Sequence, residues 1–357
     1  MKKTSHPAPG AALIIAGGRG TRFWPESRAG RPKPLFAFDG KTTLLDNTIA
    51  RLSGLIPRER IFVLAAADQG AAFRRALRGT LAPGNLIVEP EGRGTAVAIA
   101  YGAAMIAKRL GDEALIAAMP ADHFITPAAE FREALGTALG LAAERAAIVV
   151  LGITPTRTET GYGYQKIGGA VGAGFKVDRF VEKPAPALAR RMVKSGKYLW
   201  NAGIFVMSGA TLARELGEHA PGLAAAMRQF GTIGKARLPR AYHALEFDSF
   251  DRVVAERSRA VLSVRASFRW FDVGSWEGLW EAMRPDGASN VVTGNVIAID
   301  SEGVLARGGQ RLMVILGVSD LVAVDTGDAI LIARRSAAQS VRRVTDELAR
   351  RGLKRYL

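Results

Sequence analysis

The sequence contains no cysteine in 357 residues and only four histidines. The missing thiols exclude disulfide scaffolds, cysteine-ligated zinc, iron–sulfur clusters and cysteine nucleophiles, and they are compatible with a reducing compartment. Any catalysis must therefore rest on other groups.

Long apolar runs are also missing. The first one, Ala11 to Ala16, ends in glycines and is too short for the apolar core of a secretory signal. Later runs such as Ala146 to Ile153 fall well short of the roughly 18 residues that a membrane-spanning helix needs. The sequence therefore predicts a cytoplasmic protein that does not act at a membrane.

Acidic residues are in deficit, with 33 Asp and Glu against 49 Lys and Arg, a formal net charge of +16. Such an excess favours a polyanionic partner, and nucleic acid is one candidate. The one clear basic concentration, Arg334 to Leu357, also carries Ala338, Val341, Val344 and Leu348 at helical spacing. We interpret it as a terminal amphipathic helix with a solvated basic face. We expect no nucleic-acid binding, and keep binding by this tail as an alternative.

Short β-branched runs alternate with helical stretches over the first two thirds of the chain. This alternation predicts an α/β domain with a doubly wound, mostly parallel, Rossmann-like sheet. The predicted strands are Ala12 to Ala16, Arg60 to Ala65, Leu86 to Glu89, Leu115 to Pro120 and Ala147 to Leu151. The predicted helices are Thr43 to Leu55, Gln69 to Leu77, Thr95 to Leu110 and Ala128 to Arg145.

The sequence pattern changes from about Asn290, where short strand-like runs are separated by turn residues. This pattern predicts a small all-β domain, either a partial solenoid or a compact sandwich. The predicted strands are Val291 to Ile299, Gly303 to Ala306, Leu312 to Leu316, Leu321 to Val324 and Ala329 to Ile332. Pro285, Asp286 and Gly287 break the preceding helix, so we place the domain boundary there, giving domains 1–287 and 288–357.

The most informative segment is Leu13 to Phe38, in which a buried strand opens into a basic, glycine-rich loop. Glycines let the backbone approach an oxyanion, while arginine and lysine supply charge-assisted hydrogen bonds, so the loop predicts a phosphate site. Neither the P-loop nor the dinucleotide fingerprint is present. The candidate ligands are Gly17, Gly18, Arg19, Gly20, Thr21, Arg22 and Lys33.

The loop sequence GGRGTRFWPESR followed by RPKPLF resembles the signature of the sugar nucleotidyltransferases, particularly their mannose-1-phosphate guanylyltransferase branch. The resemblance implies a GT-A-like sheet with a C-terminal, left-handed β-helix-like domain and a terminal helix. It covers nearly the whole chain and leaves no room for a fused isomerase domain, so we expect a monofunctional enzyme. The β-helical tail is expected to make no catalytic contact.

Further segments resemble the family's nucleotide and metal elements. The segment EPEGRGTAVAI resembles a loop that contacts base and ribose, which implies roles for Glu89, Arg93 and Thr95. Gly94 and Val97 replace the family's Asn and Pro there, which leaves base selectivity open. The segments MPADH and WFDVGSW resemble the two acidic elements, so Asp122 and Asp272 are expected to hold Mg²⁺.

The sugar half of the site is implied by three more segments, TGYGYQKI, VEKP and WNAGIF. The resemblance assigns the sugar phosphate to Gly163, Glu182, Lys183 and Asn201. The segment EFDSFDRVVAE resembles another family segment and keeps its acidic residues Asp251 and Glu256, for which no role is assigned; capping of a helix by Ser249 explains the pattern equally well.

The implied reaction is transfer of GMP from GTP to α-D-mannose 1-phosphate, giving GDP-mannose and diphosphate by in-line attack. The expected catalytic residues are Arg22, Lys33, Asp122 and Asp272, with the loop cations on the β- and γ-phosphates. Alternatives are another sugar 1-phosphate such as a heptose, another nucleoside triphosphate, or a non-catalytic regulatory subunit that binds a sugar nucleotide. The β domain and terminal helix form a candidate homodimer surface.

Overall fold

The protein is described here by a computed structural model covering residues 10–18, 20–28, 30–246, 248–284 and 288–357. Two sheets form the N-terminal part. Their strands are β1 (Ala11–Ile15), β2 (Ile61–Ala66), β3 (Leu86–Glu89), β4 (Leu115–Pro120), β5 (His123–Thr126), β6 (Ile148–Ile153), β7 (Tyr164–Val171), β8 (Gly174–Val181), β9 (Tyr198–Ser208), β10 (Val261–Ala266) and β11 (Arg269–Asp272).

Helices cover both faces of the larger sheet, and the last of them packs beside β11 and the C-terminal part. They are α1 (Leu44–Arg51), α2 (Gly70–Ala76), α3 (Gly94–Leu110), α4 (Ala128–Arg145), α5 (Pro186–Ser195), α6 (Gly209–His219), α7 (Pro221–Phe230), α8 (Leu238–His243) and α9 (Trp276–Met283). The first of them begins at a capping box, in which the Thr43 hydroxyl accepts from the Asp46 amide. It ends at Arg51, earlier than the sequence pattern predicts.

The larger sheet has nine strands in the order β3-β2-β1-β4-β9-β6-β10-β8-β7. β8 and β9 run antiparallel to their neighbours, and the other strands share one direction. This confirms the predicted α/β class with a mostly parallel sheet. One hydrophobic cluster fills each face, with Phe131 and Tyr164 in one and Phe205 and Tyr242 in the other.

The C-terminal part consists of β12 (Val291–Thr293), β13 (Val296–Ile299), β14 (Leu305–Arg307), β15 (Met313–Leu316), β16 (Leu321–Asp325), β17 (Ile330–Arg334) and α10 (Arg342–Arg350). The single strand predicted over Val291 to Ile299 is wrong, because Gly294 turns the chain between β12 and β13 with φ of 82°.

Strands one coil apart stack in parallel in this region, and the stacking decides between the two predicted architectures. β12, β14 and β16 form one parallel series and β13 pairs with β15 in another, around a small interior containing Val304, Ala306 and Ile315. The arrangement is β-helix-like rather than a sandwich. Residues 285–287, which carry the predicted boundary, lie outside the described residues; the boundary and the left-handed sense of the coil stay predictions.

The β-helix packs against the glycine-rich loop. An aromatic cluster that contains Phe23, Trp24 and Trp276 is continuous with apolar residues of β14, β16 and β17. The Trp24 indole donates to the Tyr356 carbonyl at 2.9 Å, near the end of the chain. The tail therefore supports the segment that begins the site. None of the helices in the described ranges combines the length and apolar character needed to cross a bilayer.

Deletion of residues 342–357 is expected to lower the melting temperature and raise KM for the nucleotide about tenfold. It removes the Trp24 acceptor and exposes the cluster that backs the loop, because Val344 and Leu348 pack on it. Thermal melts and steady-state kinetics measure both effects. A double substitution on the exposed face of α10, Glu347→Gln with Arg350→Gln, is the control. A truncated protein that matches the control in both readouts contradicts this role of the tail.

Candidate active site

A cavity of about 990 Å³ opens where β1, β3 and β4 end. The carboxyl ends of parallel strands are the usual place for ligands in such sheets. Ten of the residues singled out from the sequence line it: Gly17, Gly18, Glu89, Thr95, Asp122, Gly163, Glu182, Lys183, Asn201 and Asp272. Gly20, Thr21, Arg22, Lys33 and Arg93 lie outside this lining. Arg19 lies outside the described residues.

Asp122 and Asp272 are brought together by a short ladder rather than by the main sheet. β5 pairs antiparallel with β11, and this pairing sets Asp272 opposite His123, the residue after Asp122. Two segments far apart in sequence thus deliver two carboxylates to one end of the cavity. Carboxylate oxygens from two segments that line the same cavity suit a hard cation.

Lys33 is buried behind Asp122, with its Nζ atom 2.7 Å from Asp122 Oδ2. Burial opposes ionisation of Asp122, but the Lys33 ammonium outweighs it and holds the pKa of this carboxyl below its usual value. The Asp122 carboxylate is therefore charged at neutral pH. Lys33 meets an aspartate here, where the resemblance assigned it to the nucleotide phosphates.

His123 is buried between the two acidic elements. Its Nδ1 accepts a hydrogen bond from the Trp270 indole at 3.1 Å, which leaves the ring proton on Nε2, 4.0 Å from Asp272 Oδ1. Burial lowers the pKa of His123, although both aspartates oppose this. The neutral ring therefore turns its Nε2–H toward Asp272, at a distance beyond a direct hydrogen bond.

Gly20 gives the glycine-rich loop its shape. Its φ is 60°, and a Cβ atom there would lie 2.7 Å from the Lys33 Cβ and 2.8 Å from the Ser27 Oγ. Only glycine adopts this backbone at this separation without strain. The next segment is a short helical turn, from which the exposed Arg22 reaches across and donates to the Gly274 carbonyl at 3.3 Å. Arg22 therefore lies beside Asp272.

Glu89 lines the cavity at the end of β3, next to the helix α3. It is buried, and the Tyr242 hydroxyl donates to its Oε2. Burial raises the pKa of Glu89 to about 7, although the Tyr242 hydrogen bond opposes the shift. Nothing in the sequence indicated Tyr242, because it lies 153 residues from Glu89 along the chain.

Glu182, Lys183 and Asn201, which the resemblance assigns to the sugar phosphate, lie together near the end of β8. Lys183 Nζ lies 3.0 Å from Glu182 Oε1, and Lys183 itself has a left-handed φ of 47°. The Asn201 amide donates to Asp251 at 2.7 Å. Burial, followed by the charge of Glu182, raises the pKa of Asp251 to about 7. The cavity thus joins a cation and several oxygen acceptors at this end.

Comparison with known proteins identifies the fold and the family. Residues 11–288 match the Nucleotidyl transferase family. The chain belongs to the nucleotidyl transferase family. Residues 294–348 match a second family, the MannoseP isomerase/GMP-like beta-helix domain, in agreement with the stacked C-terminal strands.

Several relatives resemble this nucleotidyl transferase over almost its whole length. The xanthan biosynthesis protein XanB of Xanthomonas campestris pv. campestris is 36% identical, over 95% of this chain and 73% of the relative. The mannose-1-phosphate guanylyltransferase of Escherichia coli K12 is 35% identical, over 94% of this chain and 73% of the relative.

The crystal structure of a mannose-1-phosphate geranyltransferase from Thermus thermophilus superposes with a TM-score of 0.88 at 38% identity, covering 96% of this chain and 100% of that one. A mannose-6-phosphate isomerase from Helicobacter pylori shares the fold at 23% identity, with a TM-score of 0.61; the match covers 74% of this chain and 100% of that one.

Nucleotidyl transferases of this family generally use a divalent metal. The donor set of this chain fits one. Asp122 is held ionised by Lys33, and Asp272 stands beside it on the β5–β11 ladder. Within the described ranges no three His, Cys, Asp or Glu side chains form a complete metal cage. Two carboxylates suffice for an ion that takes its other ligands from phosphate and water.

Gly94 is where the resemblance leads one to expect Asn, and the structure gives a reason for glycine at this position. Gly94 starts α3 with φ of 84°, and a Cβ atom there would lie 2.2 Å from the Asp248 carbonyl oxygen. This carbonyl accepts from the Ala96 amide at 3.3 Å, and the Phe250 amide donates to the Thr95 hydroxyl. The segment from Asp248 to Phe250 thus caps α3 and lies beside Thr95, one of the cavity-lining residues that the resemblance assigns to the nucleotide.

Restoring the family residue with Gly94→Asn is expected to destabilise the protein by about 1–3 kcal/mol, because the new Cβ displaces the Asp248 carbonyl and removes a helix cap. Urea unfolding followed by circular dichroism measures the change. Gly92→Asn in the same loop, where a Cβ meets nothing within 4 Å, is the matched control. Equal stability of the two variants would show that the Asp248 segment is not held by this contact.

Arg93 does not reach the cavity. Its Nε donates to Glu91 at 3.0 Å and its Nη2 lies 2.6 Å from His243 Nδ1. The nucleotide assignment of Arg93 therefore stays a prediction for the nucleotide-bound protein.

Proposed function

We propose that this protein transfers GMP from GTP to α-D-mannose 1-phosphate, forming GDP-mannose and diphosphate. The observation that carries the proposal is the cavity that joins the glycine-rich loop, the Asp122–Asp272 pair and the Glu182–Lys183–Asn201 cluster. Relatives named mannose-1-phosphate guanylyltransferase share about a third of its residues over nearly the whole chain. The metal we propose is Mg²⁺, because the site offers carboxylate oxygens and no thiolate.

In the proposed reaction an oxygen of the sugar phosphate attacks the α-phosphorus of GTP. The new P–O bond forms as the bond from the α-phosphorus to the bridging oxygen breaks, and diphosphate leaves with that electron pair. The nucleophile is already an anion, so no general base is required. The barrier arises from bringing two polyanions together and from charge moving onto the leaving group.

The chain's own residues lower that barrier by holding the two substrates in place and by supplying positive charge. The glycine-rich loop offers backbone amides and Arg22 to the outer phosphates, and Lys183 holds the sugar phosphate. Asp122 and Asp272 would hold a divalent metal, which would supply positive charge for the phosphates. Because Lys33 is buried on Asp122, we propose that it acts through that carboxylate.

Another sugar 1-phosphate or another nucleoside triphosphate is the second candidate, which the departures at Gly94 and Val97 favour. A panel of four nucleoside triphosphates against several sugar 1-phosphates, followed by diphosphate release, distinguishes the candidates. We expect GTP with mannose 1-phosphate to have the highest kcat/KM. A different leading pair supports the second candidate, and no turnover with any pair supports a regulatory subunit.

We also propose a homodimer formed through the outer face of β13 and β15. Ile297 stands in register with Val314, and Ile299 with Leu316, and these side chains are 45–64% exposed. A contiguous apolar patch of this kind is typical of an interface. Light scattering should give a dimer for the native protein and a monomer for Val314→Lys; a native monomer overturns the proposal.

A cytoplasmic location remains part of the proposed function, because GTP is supplied there.

A further inference from the structure

The structure points to a role for the acidic segment at residues 249–256, which neither the sequence pattern nor the proposed mechanism uses. Residues Asp251–Ala255 form a short π-helical turn, and the Glu256 amide donates to the Asp251 carbonyl at 2.8 Å. This bond closes one wide turn, from which Asp251 lines the cavity and Glu256 reaches the backbone of Glu182, itself a lining residue. Such turns recur at functional sites.

Asp251 fixes the orientation of Asn201. The Asn201 Nδ2 donates to Asp251 Oδ1 at 2.7 Å, and its Oδ1 accepts from the Gly203 amide at 3.0 Å. Rotation of the amide by a half turn would set its N–H groups against the Gly203 N–H and remove the donor from Asp251 Oδ1. The arrangement therefore has one stable orientation, with one N–H and one lone pair of Asn201 left for a ligand.

Glu256 fixes the turn that carries Glu182 and Lys183, two more of the residues assigned to the sugar phosphate. Its Oε1 accepts from the Glu182 amide at 2.7 Å. The next residue, Lys183, has the left-handed φ of 47° and donates its amide to the Tyr162 carbonyl at 3.2 Å. A non-glycine residue holds this conformation only when its surroundings impose it. Glu256 is thus one of the contacts that keep Lys183 in place.

We propose that Asp251 and Glu256 are positioning residues for the sugar phosphate, Asp251 through Asn201 and Glu256 through the Glu182–Lys183 turn. The inference rests on the proposed function and deepens it. One π-helical turn sets both halves of the sugar-phosphate site, while neither carboxylate is needed to bind the nucleotide.

Asp251→Ala and Glu256→Ala are expected to raise KM for mannose 1-phosphate by about tenfold to a hundredfold, with KM for GTP changed less than about twofold. Asp251→Asn and Glu256→Gln keep an acceptor oxygen, so they should restore KM to within about threefold of the native value. Arg252→Gln, on the exposed side of the same turn, is the control and should match the native protein.

A double-mutant cycle separates positioning from a general loss of structure. If Asp251 acts through Asn201, the double variant Asn201→Ala, Asp251→Ala has the same KM for the sugar phosphate as Asn201→Ala alone. Additive effects, equal losses for both substrates, or no rescue by Asp251→Asn would overturn the proposal for Asp251. Glu256 is exposed, so its variants are expected to fold, and a native KM in Glu256→Ala would overturn that half.

Failure of the positioning roles of Asp251 and Glu256 gives a different result from failure of the proposed function. The sugar phosphate that the native protein uses best serves as the substrate in every arm. A native protein with another preferred sugar leaves the positioning test intact, and the variants then support or overturn it by the same KM split. A native protein that turns over no pair overturns the proposed function and this inference together.

Discussion

Replacing Asp272 or Asp122 by alanine is expected to lower kcat by about three orders of magnitude or more, with the fold retained in the Asp272 variant. The two carboxylates are the part of the proposed chemistry that no neighbouring group described in the cavity replaces, and clamping reacting phosphates through a metal contributes several kcal/mol. Steady-state diphosphate release measures kcat, and a thermal melt verifies the fold. Loss of Mn²⁺ binding in a calorimetric titration ties the effect to the metal.

Asp178→Asn is the matched control, because Asp178 has the same exposed fraction as Asp272, 41%, and lies outside the cavity lining. It lies on β8 and pairs with Lys166 at 3.8 Å. A folded Asp272→Ala protein with near-native kcat would remove the metal assignment, and an equal loss in Asp178→Asn would trace the effect to general charge balance.

Lys33→Met is expected to lower kcat/KM at pH 7 by about a hundredfold. Burial opposes ionisation of Asp122, and the Lys33 ammonium makes the largest of the contributions that lower the pKa of this carboxyl. Without the ammonium, burial raises the pKa of Asp122, and the carboxylate takes up a proton at higher pH. The activity that needs the ionised carboxylate is then lost earlier as pH falls.

The measurement is the pH profile of kcat/KM. In the native protein the acidic limb set by Asp122 lies below its usual range, and in Lys33→Met it moves upward, so the variant should recover part of its activity at alkaline pH. Lys166→Met, which removes the lysine from the exposed pair with Asp178, is the control. An activity loss in Lys33→Met that is the same at every pH would place Lys33 on a substrate phosphate instead.

The strands and helices that surround the phosphate loop were within reach of sequence reasoning. The predicted strand Leu115 to Pro120 matches β4, and the predicted helix Ala128 to Arg145 matches α4. Short apolar runs and helical periodicity are local properties, so they report local structure faithfully. The order of the family's motifs then predicted which strand ends carry the site.

What the sequence did not indicate depends on contacts between distant segments. The β5–β11 ladder joins residues about 150 positions apart, and Tyr242 meets Glu89 over a similar separation. Periodicity has no information on such pairs. Gly94 appeared only as a departure from a pattern, whereas its meaning lies in the Asp248 carbonyl that occupies the space of its Cβ.

The C-terminal helix shows the same limit on a smaller scale. The predicted amphipathic stretch began with Ala338 and Val341, which instead lie in a 3₁₀ turn, Arg335–Val341, ahead of α10. Both are buried in the cluster behind the glycine-rich loop. Their apolar side chains therefore pack against the N-terminal loop. This long-range contact cannot be predicted from the local sequence.

Nucleotidyl transfer to mannose 1-phosphate is tested most directly by ³¹P NMR of the purified protein with GTP, mannose 1-phosphate and Mg²⁺. We expect the resonances of GDP-mannose and diphosphate to grow in equal amounts while those of GTP and mannose 1-phosphate decline. We expect Asp272→Ala to leave the spectrum unchanged over the same period. GDP with orthophosphate as products, or an unchanged spectrum with the native protein, would contradict this transfer reaction.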